Sequence, residues 1–268
     1  MLRSLITLFF GFVGIRTVTA KTINLASNNF VSIIGPVTSS SIDDVIKSLN
    51  SRNINEYIQE NKQILVYINS PGGSVFSGNH FVQYIKALQS SNISVDCIGQ
   101  NFMSMGFIIM QSCSKRYALF DSIGMQHQMS LGMKGNMENF KSQFSMIERV
   151  NNILIDMEIK KIGIDKTEYL SKVLSDWWSY GEENLKNGIV DEMVTIRCNP
   201  SIMLEKIKKT DSFFGITFDI EISKCPILND VKLSDKSAAL NYSNEILIFY
   251  DFDNYAINVK QIINKLNL

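Results

Sequence analysis

Ser104, His127 and the turn Pro71-Gly72-Gly73 supply three separate requirements of acyl transfer. Ser104, within Met103-Ser104-Met105-Gly106, offers a hydroxyl to attack a carbonyl. His127, within Met125-Gln126-His127-Gln128, offers an imidazole to take its proton. The glycine turn offers backbone N–H groups to an oxyanion. A serine hydroxyl is a weak nucleophile at neutral pH and needs a base that titrates near working pH, the role histidine fills best. The chain has 2 histidines, and His80, early in the helix after the glycine turn, reads as a surface or packing residue. Ser112, Ser114, Ser122 and Ser130 lie nearby, but Ser104 alone has a glycine two residues later and an apolar helix behind it. That setting allows close approach and brings helix-start N–H groups to the reaction. The Gly72 or Gly73 amide, with that of Met105, would form the oxyanion hole, although Pro-Gly-Gly taken alone is a turn signal.

The elements that must position these residues follow from hydrophobic period. Phe30 to Val37 reads as a strand and Ser41 to Leu49 as a helix. Gln63 to Asn69 is a near-continuous apolar run, the pattern of a parallel strand covered on both faces. Ser77 to Leu88 has helical spacing, and Ile93 to Ile98 is the next strand. Met103 to Met110 reads as a helix opening at the nucleophile. Arg116 to Phe120 and Ile123 to Gln126 are short strands leading to His127. Helices follow over Met137 to Ile162 and Lys166 to Leu174, then a late strand at Ile246 to Tyr250 and a helix at Val259 to Leu266. The alternation implies an α/β fold.

Bulk composition narrows the class. With 26 basic and 26 acidic residues, the chain lacks the basic excess of a nucleic-acid binder. Residues 1–20 hold Arg3, an apolar run from Leu5 to Ile15 and Val18-Thr19-Ala20 before Lys21, the three parts of an export signal, with a membrane anchor as the alternative. The expected divisions are therefore a signal peptide at 1–20, a principal domain at 21–198 and a C-terminal extension at 199–268 without recognisable chemistry. Export would lead to a periplasm, an endoplasmic reticulum lumen or the cell exterior. Cys97, Cys113, Cys198 and Cys225 show no CxxC and no cluster with histidine, so no metal and no cofactor is expected. In an oxidising compartment three disulfide pairings are open. Cys97 and Cys113, in apolar runs, read as free buried thiols.

The order Tyr67-Ile-Asn-Ser-Pro-Gly-Gly73, Gly99-Gln100 with Met103-Ser-Met-Gly106, Arg116-Tyr-Ala-Leu119 and Met125-Gln-His-Gln128 resembles the proteolytic subunit of Clp protease and its wider family of crotonase-like serine peptidases. The likeness covers roughly residues 30 to 195. It implies an α/β fold of repeated β-β-α units with a long handle helix, here Met137 to Ile162, plus a small C-terminal appendage. It also implies Ser104 as nucleophile, His127 as base and an aspartate as third member of the triad. The family's aspartate precedes a Gly-Leu/Ile-Val-Asp sequence. Gly188-Ile-Val-Asp191 matches that end, and Asp176, 188 − 176 = 12 residues before the glycine, is the expected acid, with Asp121 and Asp191 as rivals. Asp121 reads more simply as a tight-turn residue and Asp191 as closing a turn after a strand.

Two departures qualify the likeness. Phe102 and Met103 stand where the family has small alanines, and Met129 replaces a proline, so a narrowed pocket or a tilted Ser104 is expected. An exported chain would also meet no ATP-driven unfoldase, so no ATPase partner is expected. The handle helix implies self-association into a homo-oligomer. The expected activity is that of a serine endopeptidase acting on peptides or unfolded segments. The alternatives are an inactive scaffold that kept the fold and a crotonase-type acyl-CoA enzyme, which needs no Ser-His pair.

Overall fold

The computed structural model describes residues 20–132, 135–213, 216–228 and 232–233. Nearly all of the expected signal segment, the strand at 246–250 and the helix at 259–266 lie outside the described residues. Strands β1 (Lys21–Leu25), β2 (Phe30–Ile34), β3 (Gln63–Ser70), β4 (Ser94–Met103), β5 (Arg116–Gln126) and β7 (Glu192–Cys198) form one parallel sheet in the order β1-β7-β5-β4-β3-β2. β6 (Trp177–Tyr180) runs antiparallel beside the end of β5. Helices α1 (Ser39–Leu49), α2 (Arg52–Asn61), α3 (Val75–Ser90), α4 (Met105–Ser112), α5 (Met137–Ile162), α6 (Lys166–Val173) and α7 (Glu183–Lys186) complete this unit. The α/β architecture is the one expected.

Period two sorts β3 between two cores. Ile64, Val66 and Ile68 join the larger one with Phe81, Phe102, Phe107 and Trp177, while Leu65 and Tyr67 join a smaller one with Leu25, Tyr117 and Val194. A strand buried on both faces cannot show the alternation of a half-exposed strand, which is why its sequence is a continuous apolar run.

α5 is capped by the Asn136 side chain, which accepts from the Asn139 N–H, and ends at Gly163 with φ 79°. Its 26 residues make a rod about 39 Å long. Leu154 and Glu158 are its buried residues, whereas Met137, Phe140, Phe144, Met146 and Ile153 are exposed.

The described residues of the C-terminal extension form regular elements. α8 (Pro200–Leu204) leads into a small antiparallel sheet of β8 (Lys206–Phe213), β9 (Ile216–Ser223) and β10 (Lys232–Leu233). A disulfide joins Cys198, at the end of β7, to Cys225, just after β9. Cys97 and Cys113 are also bonded, with Cα atoms 5.8 Å apart, which corrects their reading as free thiols. The reason is topological: α4 runs back along β4, so its C-cap returns beside the strand. The Ser114 N–H donates to the Val95 carbonyl at 2.7 Å, and the Cys97 N–H to the Lys115 carbonyl at 2.8 Å.

Candidate active site

The site lies at the C-terminal ends of β3, β4 and β5, where parallel sheets leave room for chemistry. β4 and β5 meet there with Met103 opposite Met125, so Ser104 and His127 emerge side by side. Register breaks precede the site in both strand pairs, between Ile68 and Ser70 and between Gly99 and Asn101. The second break spans Ala118 to Ile123 on β5. Asp121 is therefore an exposed residue within a strand irregularity, a correction to its reading as a tight-turn residue.

Ser104 is the N-cap of α4, at φ 52° and ψ −117°, a conformation that costs about 1–3 kcal/mol for a residue with a side chain. It is held there from both sides. The Ser104 N–H donates to the Met125 carbonyl at 2.8 Å, and the Ser104 carbonyl accepts from the Ile108 N–H at 3.1 Å. The turn exposes the hydroxyl, and His127 Nε2 stands 2.9 Å from Ser104 Oγ. Both residues are half-buried.

Gly72 lies directly against Ser104. A Cβ at this position would sit 2.6 Å from Ser104 Cβ, 2.8 Å from the Met103 carbonyl oxygen and 3.0 Å from the Met105 nitrogen, and φ is 99°. Glycine is therefore required here for close approach as well as for backbone shape. The turn is fixed to β2's extension by hydrogen bonds from the Val37 N–H to the Gly72 carbonyl, 2.7 Å, and from the Ser74 N–H to the Val37 carbonyl, 2.8 Å. The Gly72 N–H donates to Ser70 Oγ at 3.1 Å. Among the described residues, no acceptor takes the N–H of Gly73 or of Met105. We expect Gly72→Ala to lower hydrolysis by roughly 100-fold and stability by about 2 kcal/mol, through displacement of the Ser104 turn. Initial rates and urea midpoints of the purified variant check both.

Asp176 occupies the loop before β6 at φ 54°. β6 pairs with β5 through Gln126 opposite Trp177, and continuing this register by one residue sets Asp176 across from His127. The Asp176 side chain is exposed, and its carboxylate makes no hydrogen bond to the imidazole among the described residues. The structure thus joins Ser104 to His127 and brings Asp176 to the neighbouring position without that contact. Asp191 is engaged elsewhere. It pairs with the buried Arg116 at 2.5 Å and accepts the Arg116 N–H at 2.8 Å, while Arg116 also donates to Gln111 Oε1 at 2.7 Å and the Gly188 carbonyl at 3.0 Å. Partial burial opposes ionisation of Asp191, but the Arg116 hydrogen bonds outweigh it and hold the carboxyl below its ordinary value. His80 is exposed on α3.

Phe102, one of the two bulky residues before Ser104, packs into the core rather than into the site. Phe102 is fully buried in the larger core with its ring 6.2 Å from that of Phe107, and Gly99 and Gly124 leave the space it occupies. A residue missed in sequence reasoning is Gln126, whose side-chain oxygen accepts the His127 N–H at 3.1 Å. The signal was its polarity at the end of an otherwise apolar strand.

A hydroxyl within hydrogen-bond reach of an imidazole, at the C-terminal ends of parallel strands and beside a glycine turn, is an arrangement able to support acyl transfer. The Clp protease family matches residues 16–197. The chain is 29% identical over 178 residues to the ATP-dependent Clp protease proteolytic subunit of Deinococcus radiodurans, covering 63% of this chain and 82% of that protein. It is 30% identical over 175 residues to the subunit of the same description from Borreliella afzelii, covering 63% and 85% respectively. For the corresponding subunit of Borrelia garinii subsp. bavariensis the identity is 33% over 139 residues, covering 50% and 69%. The chain belongs to the Clp protease family.

Proposed function

We propose that the chain is a serine endopeptidase that cleaves peptides or unfolded segments through an acyl-enzyme. The observation that carries this reading is the 2.9 Å approach of His127 Nε2 to Ser104 Oγ on a strained strand-to-helix turn. Ser104 attacks the peptide carbonyl while His127 takes its proton. The C–N bond then breaks as His127 returns that proton to the leaving amine, and water hydrolyses the ester by the same route. Asp176 orients the imidazole and balances its charge. The Gly73 and Met105 amides receive the oxyanion, with Gly72 serving by its lack of a side chain. Substrate lies as an extended strand along the glycine turn.

The partners in this reading are the polypeptide substrate and further copies of the chain. The exposed apolar residues of α5 support self-association. The relatives are described as ATP-dependent. In the reading proposed here the chain is exported and works without an ATPase, which the two disulfides support because such bonds persist in oxidising compartments. An inactive scaffold is the second reading, and the separation of the Asp176 carboxylate from the imidazole favours it. The assembled protein should cut a chemically unfolded polypeptide without added ATP, with no fragments from Ser104→Ala. Fragments formed equally by that variant would refute the serine mechanism.

A further inference from the structure

Behind His127 lies a buried polar cluster that the hydrolytic steps do not use. Glu158, on the inner face of α5, is 1% exposed and sits at the edge of the larger core. Its Oε2 accepts from the Tyr169 hydroxyl at 2.8 Å, and its Oε1 accepts from Gln126 Nε2 at 2.5 Å. The other end of the Gln126 amide, Oε1, accepts the His127 N–H at 3.1 Å. Three hydrogen bonds therefore run from α6 through α5 to the backbone of the base. A leucine at position 158 would avoid the cost of a buried carboxyl with no cation beside it, so stability alone does not account for a glutamate.

We propose that Glu158 is a positioning residue: it holds the Gln126 amide so that its oxygen anchors the His127 N–H and fixes the reach of the imidazole to Ser104. The proposal rests on the reading of Ser104 and His127 as nucleophile and base. An ionised Glu158 accepts both hydrogen bonds as they stand. A protonated one must donate, either to Tyr169 Oη or to Gln126 Oε1. The second choice turns the amide over and presents its NH2 group to the His127 N–H, releasing the anchor. The proton comes from solvent and returns to it.

The groups facing the carboxyl are Tyr169 from α6 and Gln126 from β5. Trp177 of β6 stands edge-on to Tyr169 at 6.2 Å, and the Lys172 ammonium lies over the Trp177 ring at 5.2 Å. Burial pushes the Glu158 carboxyl up to about 8, against the opposing hydrogen bonds from Tyr169 and Gln126. Because the folded value is raised, the stability contributed by this group is present below about pH 4.5 and is lost as pH rises through about 8. Glu158→Gln should flatten that slope.

With 2 histidines in the chain, His80→Gln leaves His127 as the only one. In that background, the 13C-labelled His127 Cε1 resonance of the assembled protein is followed from about pH 5.5 to about 9.5. A step near pH 8 is expected in this resonance, and Glu158→Gln should remove it. The rate of fluorophosphonate labelling at Ser104 should fall roughly tenfold in Glu158→Leu, which has no group to hold the Gln126 amide. A wild-type resonance without a step near pH 8 that Glu158→Gln removes, or a folded Glu158→Leu that labels at the wild-type rate, overturns the proposal. If Glu158→Leu does not fold, the comparison of wild type with Glu158→Gln decides. The Glu158-dependent step in a protein that never labels would refute the serine mechanism and leave the Glu158 coupling standing.

Discussion

Ser104→Ala should lower kcat/KM for an unfolded polypeptide by at least about 10⁴-fold, His127→Ala should lower it by a similar factor, and the double variant should be no worse than either. The reason is geometric. The hydroxyl and imidazole stand 2.9 Å apart and act as one unit, so removing either removes the same proton transfer. Activity remaining after either change comes from binding and from the amides at the glycine turn. Neither variant should unfold the protein, because both side chains are half-buried and the turn is held by backbone bonds to Met125 and Ile108. Losses that multiply in the double variant would mean that the two residues act separately.

The second large effect concerns the acid. Asp176→Asn should reduce kcat/KM by about 10³-fold without changing the thermal midpoint, since the side chain is exposed and supports no packing. The β5–β6 register, continued by one residue, sets Asp176 opposite His127. Asp191→Asn makes the opposite prediction: stability falls by about 3 kcal/mol because the buried Arg116 loses its partner, with the Ser-His chemistry intact. A full-activity Asp176→Asn protein would show that Ser104 and His127 work without that carboxylate and would remove Asp176 from the mechanism.

Much of this site was legible from residue types. Ser104, His127 and the glycine turn stood out because a hydroxyl, an imidazole and backbone amides answer separate chemical needs, and the strand at β3 and the helix at α5 because their patterns are long. What stayed hidden was set by distance in the chain. α2 was missed because Arg52 to Asn61 is mostly polar and buries Ile54 and Ile58 alone. Phe102 looked like an obstacle at the nucleophile because only the fold shows Gly99 and Gly124 making room for its ring on the core side. The Cys97–Cys113 bond required knowing that α4 folds back on β4. Glu158 is 32 residues from Gln126, on the helix read as a handle, and no local pattern links a buried carboxyl to a strand-end amide. The aspartate was located by its spacing to Gly188, yet spacing carries no information about where a carboxylate points.

The measurement that bears most directly on the mechanism is fluorophosphonate labelling of the folded, assembled protein, followed by peptide mapping of the adduct. The predicted result is one phosphonyl group on Ser104, formed with loss of fluoride, and its disappearance in His127→Ala. Labelling at another serine, or at Ser104 with an unchanged rate in His127→Ala, would contradict an activated Ser104–His127 pair.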